Sequence, residues 1–161
     1  MKREETSQKV EKSEGMDMLK LDSQLCFPLY AAARQITNIY SPVLKPYGLT
    51  YTQYLVFLVL WEKDGQPVGE LCRRLHLDTG TLTPVLKKMA AAGWIKRERS
   101  TVDERIVIIS LTEQGRNFKK EAEIIPEKVG ACLSMTSTDA KMLYDLLYKL
   151  LAGMKEIEER S

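Results

Sequence analysis

The sequence predicts a mainly α-helical fold with one small β-hairpin, and three observations lead there. Apolar residues recur at helical spacing over most of the chain from Leu25 onward. Two short helical patterns, "VGELCRRLHLD" and "TGTLTPVLKKMAAAG", follow one another directly, which is how a helix-turn-helix reads. After Gly93 the period drops from near 3.6 to 2, with "WIKRER" and "RIVIIS" alternating around "STVDE". Helices, a helix-turn-helix and then a hairpin give the order of a winged helix-turn-helix.

Taken in order, Leu25, Leu29, Ala32, Ile36, Ile39 and Val43 make residues 22 to about 46 one helix, with Asp22 or Ser23 able to cap it. "KPYGLT" breaks that pattern. "TYTQYLVFLVLWEKDG" is then a helix apolar nearly all round, hence buried, with Gly65 and Pro67 beyond its end. The helix-turn-helix and hairpin follow. "LTEQGRNFKKEAEIIPEKVGACL" returns to helical spacing as a fifth helix. The last helix, about 136–159, carries Leu143, Leu147, Leu150, Met154 and Ile157 in steps of four and three. Such a seam suits a partner helix, and a core stripe of this length reads the same.

At 161 residues the chain is long enough for one domain with a real core. No apolar run approaches a membrane span, and "MKREETSQKVEKSEG" lacks the apolar stretch of a signal peptide. Residues 1–20 are therefore expected to be a flexible lead-in, with the folded domain over 21–161. Three widely spaced cysteines, no CxxC and a single histidine, His76, argue against a disulfide scaffold, a zinc site and a Cys/His catalytic pair. A reducing cytoplasmic location fits this cysteine usage.

Net charge is +2, but its distribution is uneven. Residues 72–105 hold eight Lys/Arg against four acids, leaving sixteen basic and eighteen acidic residues elsewhere. A basic middle between mildly acidic ends suits a nucleic-acid surface, and a solvated face shows the same balance. In the fourth helix Leu82, Leu86 and Met89 can face inward, with Val85 beside them. That leaves Thr79, Thr81, Thr83, Lys87 and Lys88 for a major groove. The helix N-terminus adds N–H donors toward phosphate. Pro84 breaks the helix rule, and Gly80 four residues earlier eases the clash. Pro84 is counted with that DNA-facing set, and the hairpin adds Arg97, Arg99, Asp103 and Arg105 as DNA-binding candidates, Arg97 and Arg99 before the loop and Arg105 after it. An arginine at a wing tip fits a narrow minor groove, and Asp103 is placed to hold the Arg105 fork.

These blocks resemble the MarR family of bacterial transcription regulators, and within it the organic hydroperoxide resistance regulators. The resemblance is carried by "LCFPLYAAAR", "YTQYLVFLVLWE", "LHLDTGTLTPVLKKMA" and "DERIVIISLTEQGR", and it covers nearly everything from Leu25 to Leu151. It implies a homodimeric winged-helix repressor on a pseudo-palindromic double-stranded DNA operator, released when an organic hydroperoxide oxidises one cysteine. The DNA-binding core is then about 50–112, and residues 21–49 and 113–161 supply dimerisation helices at both ends of the chain. No enzyme activity and no cofactor are implied. Cys26 matches the peroxide-sensing thiol, and Tyr40 and Tyr51 match two tyrosines that hydrogen-bond it across the dimer. Cys132 falls where a two-cysteine branch keeps a resolving thiol; capping by a small thiol is the other route.

The residues themselves support part of this. An unperturbed thiol with a pKa near 8.5 is only about 3% ionised at pH 7, so a sensor needs stabilisation of its anion. A first helical turn and phenol O–H donors both supply it. Tyr40 lies fourteen residues beyond Cys26 on the same predicted helix, or about 21 Å at 1.5 Å per residue, so a second chain must deliver it. Cys72, in step with Leu71 and Leu75, is expected to be inert core. Three rivals stay open: a MarR-type repressor released by a small aromatic ligand, an activator or virulence-type regulator of the same fold, and, from another class, a thiol peroxidase.

Overall fold

The computed structural model describes residues 19–158, with side chains as far as Met154. The chain divides into two compact units, up to Asn38 and from Ile39 onward. Among the described residues the first contains a 3-10 turn at Leu21–Ser23 and most of helix α1, Cys26–Leu44. The predicted helix over 22–46 is therefore shorter at both ends. Asp22 and Ser23 lie in the separate turn, and Pro46, which has no N–H to donate, sits in a second 3-10 turn at Lys45–Tyr47. The expected flexible lead-in, residues 1–20, lies outside the described residues apart from its last two.

The second unit holds the rest of the elements. These are α2 (Tyr51–Glu62), α3 (Val68–Leu75), α4 (Thr79–Ala91), β2 (Ile95–Arg99) and β3 (Val107–Leu111), with a short β1 at Gln66–Pro67. Beyond them come α5 (Glu113–Ala122), α6 (Ile125–Gly130) and α7 (Ser137–Glu158). The strands form one antiparallel sheet in the order β1-β3-β2, with Ile95 opposite Leu111 and Arg99 opposite Val107. The predicted two-stranded hairpin thus has a third strand. Pro67 is tolerated in β1 because that strand lies at the sheet edge. The fifth helix is likewise two: Pro126, at the start of α6, cannot donate back into the preceding turn.

Three helix starts have a side-chain cap. Thr50 and Gln53 form a reciprocal capping box on α2, with the Thr50 N–H donating to Gln53 Oε1 at 2.8 Å. Asp78 caps α4 and Thr112 caps α5. The α3–α4 turn passes through His76 at φ 51°, among the described residues the only non-glycine with positive φ.

The core gathers Leu44 of α1, Phe57 and Leu60 of α2, Leu71 of α3, Leu82, Leu86 and Met89 of α4, Ile109 of β3 and Phe118 of α5. The inward stripe expected of α4 is therefore real, each side chain contributing roughly 1.5–3 kcal/mol on burial. Stacked and edge-on rings of Phe57, Trp61, Trp94 and Phe118 tie α2 to the sheet and α5, and Trp61 Nε1 donates to the Gly115 carbonyl at 3.0 Å. Asp64 adds a polar tie, accepting the Leu111 N–H at 2.8 Å and pairing with Arg116 at 3.3 Å. This frame fixes α4 and the wing relative to each other. Along α7, Leu143, Leu150 and Met154 of the predicted seam are exposed, with Leu147 half-buried. The Ile157 side chain lies outside the described ones.

Candidate functional site

Cys26 is the first residue of α1, in the first unit, and is exposed. Pro28 sits in the same turn, where a proline costs no helical hydrogen bond. In the second unit Tyr40 and Tyr51 meet, with ring centroids 4.5 Å apart. A third ring completes the cluster: Tyr54, 5.7 Å from Tyr40 and buried. Sequence reasoning missed it, although its place three residues after Tyr51 puts both on one face of α2. Burial pushes all three phenols above their ordinary pKa of 10.0, and for Tyr51 and Tyr54 neighbouring phenols add to the shift. They therefore remain O–H donors at neutral pH.

Cys132 follows α6 rather than a long fifth helix. It is exposed, its thiol 3.4 Å from the Lys128 carbonyl it donates to. Cys72 is buried in the core as expected, its Sγ 3.9 Å from Thr79 Oγ1 at the start of α4.

The DNA-facing candidates fall into distinct settings. Lys87, Lys88 and Pro84 are exposed on α4. The Thr81 hydroxyl is not free: it donates to Asp78 Oδ2 at 2.6 Å, while the Thr81 N–H donates to Oδ1 at 2.8 Å. These bonds hold the Asp78 carboxyl below the usual carboxylate range. The sequence reading expected bare N–H donors at this terminus and overlooked Asp78, although Asp before "TGT" is an N-cap signal. Thr79 and Thr83 line a cleft that Arg97 and Arg105 also border.

In the wing, Arg105 grips Asp103 through two nitrogens at 3.1 Å, and its side chain is 90% exposed. The guanidinium keeps the Asp103 carboxyl below its ordinary pKa. Arg99 turns back on the loop, donating to the Glu104 carbonyl at 3.1 Å. Ser100 Oγ accepts the Val102 and Asp103 N–H groups, fixing the loop tip. Arg73 and Arg74 are engaged by Glu70 and Glu62. Among the described residues no cluster suits a metal ion, and no helix is long and apolar enough to cross a membrane.

Residues 38–122 match the model of the SarA/Rot transcriptional regulators. The organic hydroperoxide resistance transcriptional regulator of Bacillus subtilis is 46% identical over 140 residues, covering 87% of this chain and 95% of that protein. The chain belongs to the MarR family of transcriptional regulators. This MarR-family chain is also similar to solved structures. Reduced AbfR bound to DNA is 38% identical over 84% of this chain and 96% of that one, with a TM-score of 0.69. Disulfide-formed AbfR is 38% identical over 84% and 92%, with a TM-score of 0.59. Membership makes the chain a regulator and not an enzyme, which sets the thiol peroxidase reading aside.

Proposed function

We propose that this MarR-family chain is a cytoplasmic, homodimeric repressor that binds a pseudo-palindromic DNA operator and releases it when an organic hydroperoxide oxidises Cys26. The observation that carries the reading is the exposed thiol on the first turn of α1, in a chain 46% identical to a hydroperoxide resistance regulator. The thiolate attacks the terminal peroxide oxygen, the O–O bond breaks, and the alkoxide leaves as the alcohol. Cys26 becomes a sulfenic acid. Condensation with a second thiol then forms a disulfide and expels water. Cys132, exposed, is our candidate for that thiol.

Tyr40 and Tyr51 donate O–H groups that hold the sulfur anion. Fourteen residues separate Tyr40 from Cys26 in the sequence, and this reading takes the phenols from the second copy. The exposed leucines of α7 and the apolar residues at the start of α1 supply that dimer interface. Thr79, Thr83, Lys87 and Lys88 serve the major groove, and Arg105, braced by Asp103, serves the minor groove. Two half-sites about one helical turn apart demand a fixed spacing of the DNA heads. A lost charge-assisted hydrogen bond is worth about 1.5–3 kcal/mol, and two per dimer supply most of the roughly 5.5 kcal/mol that inverts such an equilibrium.

The test is binding to the DNA upstream of the protein's own gene before and after stoichiometric cumene hydroperoxide. Wild type is expected to dissociate while Cys26→Ser stays bound. Equal release of both removes the thiol from the mechanism. Intact masses of wild type and Cys132→Ser report whether the product is a disulfide.

A further inference from the structure

Along α2, Tyr51, Tyr54 and Trp61 follow one another at helical spacing and share one face. Tyr54 is the deepest of the clustered phenols, only 3% exposed, while Tyr40 and Tyr51 are half-buried. Its ring meets that of Tyr40 at 5.7 Å between centroids, and it meets the Trp61 indole edge-on at 6.4 Å. That indole is held in place. Its Nε1 donates to the Gly115 carbonyl at 3.0 Å, and its ring stacks on Phe57 at 5.1 Å. Tyr54 therefore stands between a fixed wall and the Tyr40 ring, which in turn lies 4.5 Å from Tyr51. A half-buried tyrosine without such a neighbour turns among the staggered wells of χ1. Packing against a ring that is itself held removes that freedom in advance.

We infer that Tyr54 is a positioning residue for the peroxide-sensing site, its ring holding the Tyr40 phenol in the orientation from which it donates to the sulfur anion. The inference rests on the sensing function proposed above and deepens it. Both of its contacts are made by the ring, so the ring and not the hydroxyl does the holding. Tyr54 acts through Tyr40 and not on the thiol. A donor already oriented stabilises negative charge without losing its own rotamer freedom at that moment. The backing continues from Trp61 through Phe118 to Trp94, the residue before β2. The frame that carries the wing thus also orients the donor.

Quenched-flow alkylation after cumene hydroperoxide, with the Cys26 peptide read by mass spectrometry, tests this on the full chain. The proteins are wild type, Tyr54→Phe, Tyr54→Leu, Tyr40→Phe and the Tyr40→Phe, Tyr54→Leu pair, each with a thermal melt alongside. Tyr54→Phe keeps the ring and is expected to retain the wild-type rate. Tyr54→Leu removes the ring and is expected to slow oxidation about three- to tenfold, the effect of having to order one side chain during the reaction. Once Tyr40→Phe has taken the donor away, Tyr54→Leu should slow the reaction no further, because residues that share one interaction do not add. A merely structural Tyr54 lowers the melting midpoint and leaves the rate alone, or slows oxidation equally in both backgrounds; either result overturns the inference. Tyr54→Phe as slow as Tyr54→Leu makes the hydroxyl a donor in its own right and overturns it too. Should Tyr54→Leu not fold, Tyr54→Met, which fills the space without a ring, decides by the same criteria. Failure of wild-type Cys26 to react ends the sensing reading, and a wild-type rate in Tyr40→Phe ends the donor role of Tyr40; the inference falls with either. A slow Tyr40→Phe beside a Tyr54→Leu at the wild-type rate overturns the inference alone.

Discussion

The rings of Tyr40 and Tyr51 lie 4.5 Å apart, one from α1 and one from the first turn of α2. Burial pushes both phenol pKa values up, so each keeps its O–H at neutral pH and, on the function proposed above, donates it to the Cys26 anion. Tyr40→Phe or Tyr51→Phe is expected to slow oxidation of Cys26 about tenfold, the equivalent of one charge-assisted hydrogen bond at the low end of its range. Stopped-flow measurement of thiol loss with cumene hydroperoxide reads this directly. Rates within twofold of wild type in the double variant would exclude the phenols from the chemistry.

Asp103 holds Arg105 in one geometry through two bonds of 3.1 Å. Replacing it by alanine leaves the arginine to be ordered on DNA contact, at the usual cost of immobilising a long side chain. Operator affinity should fall about two- to tenfold in Asp103→Ala, with folding unchanged. Fluorescence anisotropy alongside a thermal melt separates the two effects. Unaltered affinity would mean that the brace plays no part.

Gly115 sits where α5 begins, and a Cβ there would run into the Trp94 carbonyl oxygen. That oxygen belongs to the backbone, so it has little freedom to move. Gly115→Ala should therefore destabilise the chain by about 1–3 kcal/mol despite alanine's better helix propensity. Urea unfolding measures it, and a stabilised variant would contradict the packing described.

Asp78 caps α4 with its charged carboxylate, so its contribution depends on pH. Its folded pKa lies below the unfolded value. The stabilisation is therefore complete above the unfolded pKa and is lost as pH falls through the folded one. Asp78→Asn, which keeps a capping oxygen but does not titrate, should unfold with a flatter acid limb. Parallel slopes for the two proteins between about pH 6 and pH 2 would rule the linkage out.

Periodicity made much of this legible. The steps Leu82, Leu86 and Met89 gave the inward face of α4, and the change of period after Gly93 gave the wing. Signals without periodicity were harder to read. Strand β1 is two residues long, one of them proline, so no alternation could mark it. Pro126 announces the break between α5 and α6, yet the apolar spacing continues across it. Tyr54 joins the tyrosine cluster only because the Tyr40 ring meets the start of α2, a long-range fact that no local window contains. Arg97 read as one of several DNA-binding candidates, with nothing to set it apart from them. Its Nε, covered and without an acceptor among the described residues, follows from which face of β2 is covered, and that depends on the fold of the whole unit.

The leucines that α7 turns toward solvent, Leu143, Leu146 and Leu150, link folding to mass action. In the dimer proposed above their packing energy is realised when a second copy arrives, so the melting midpoint is expected to climb with protein concentration. A scarce chain is then a weaker one, and the regulator's own abundance becomes part of what sets its lifetime.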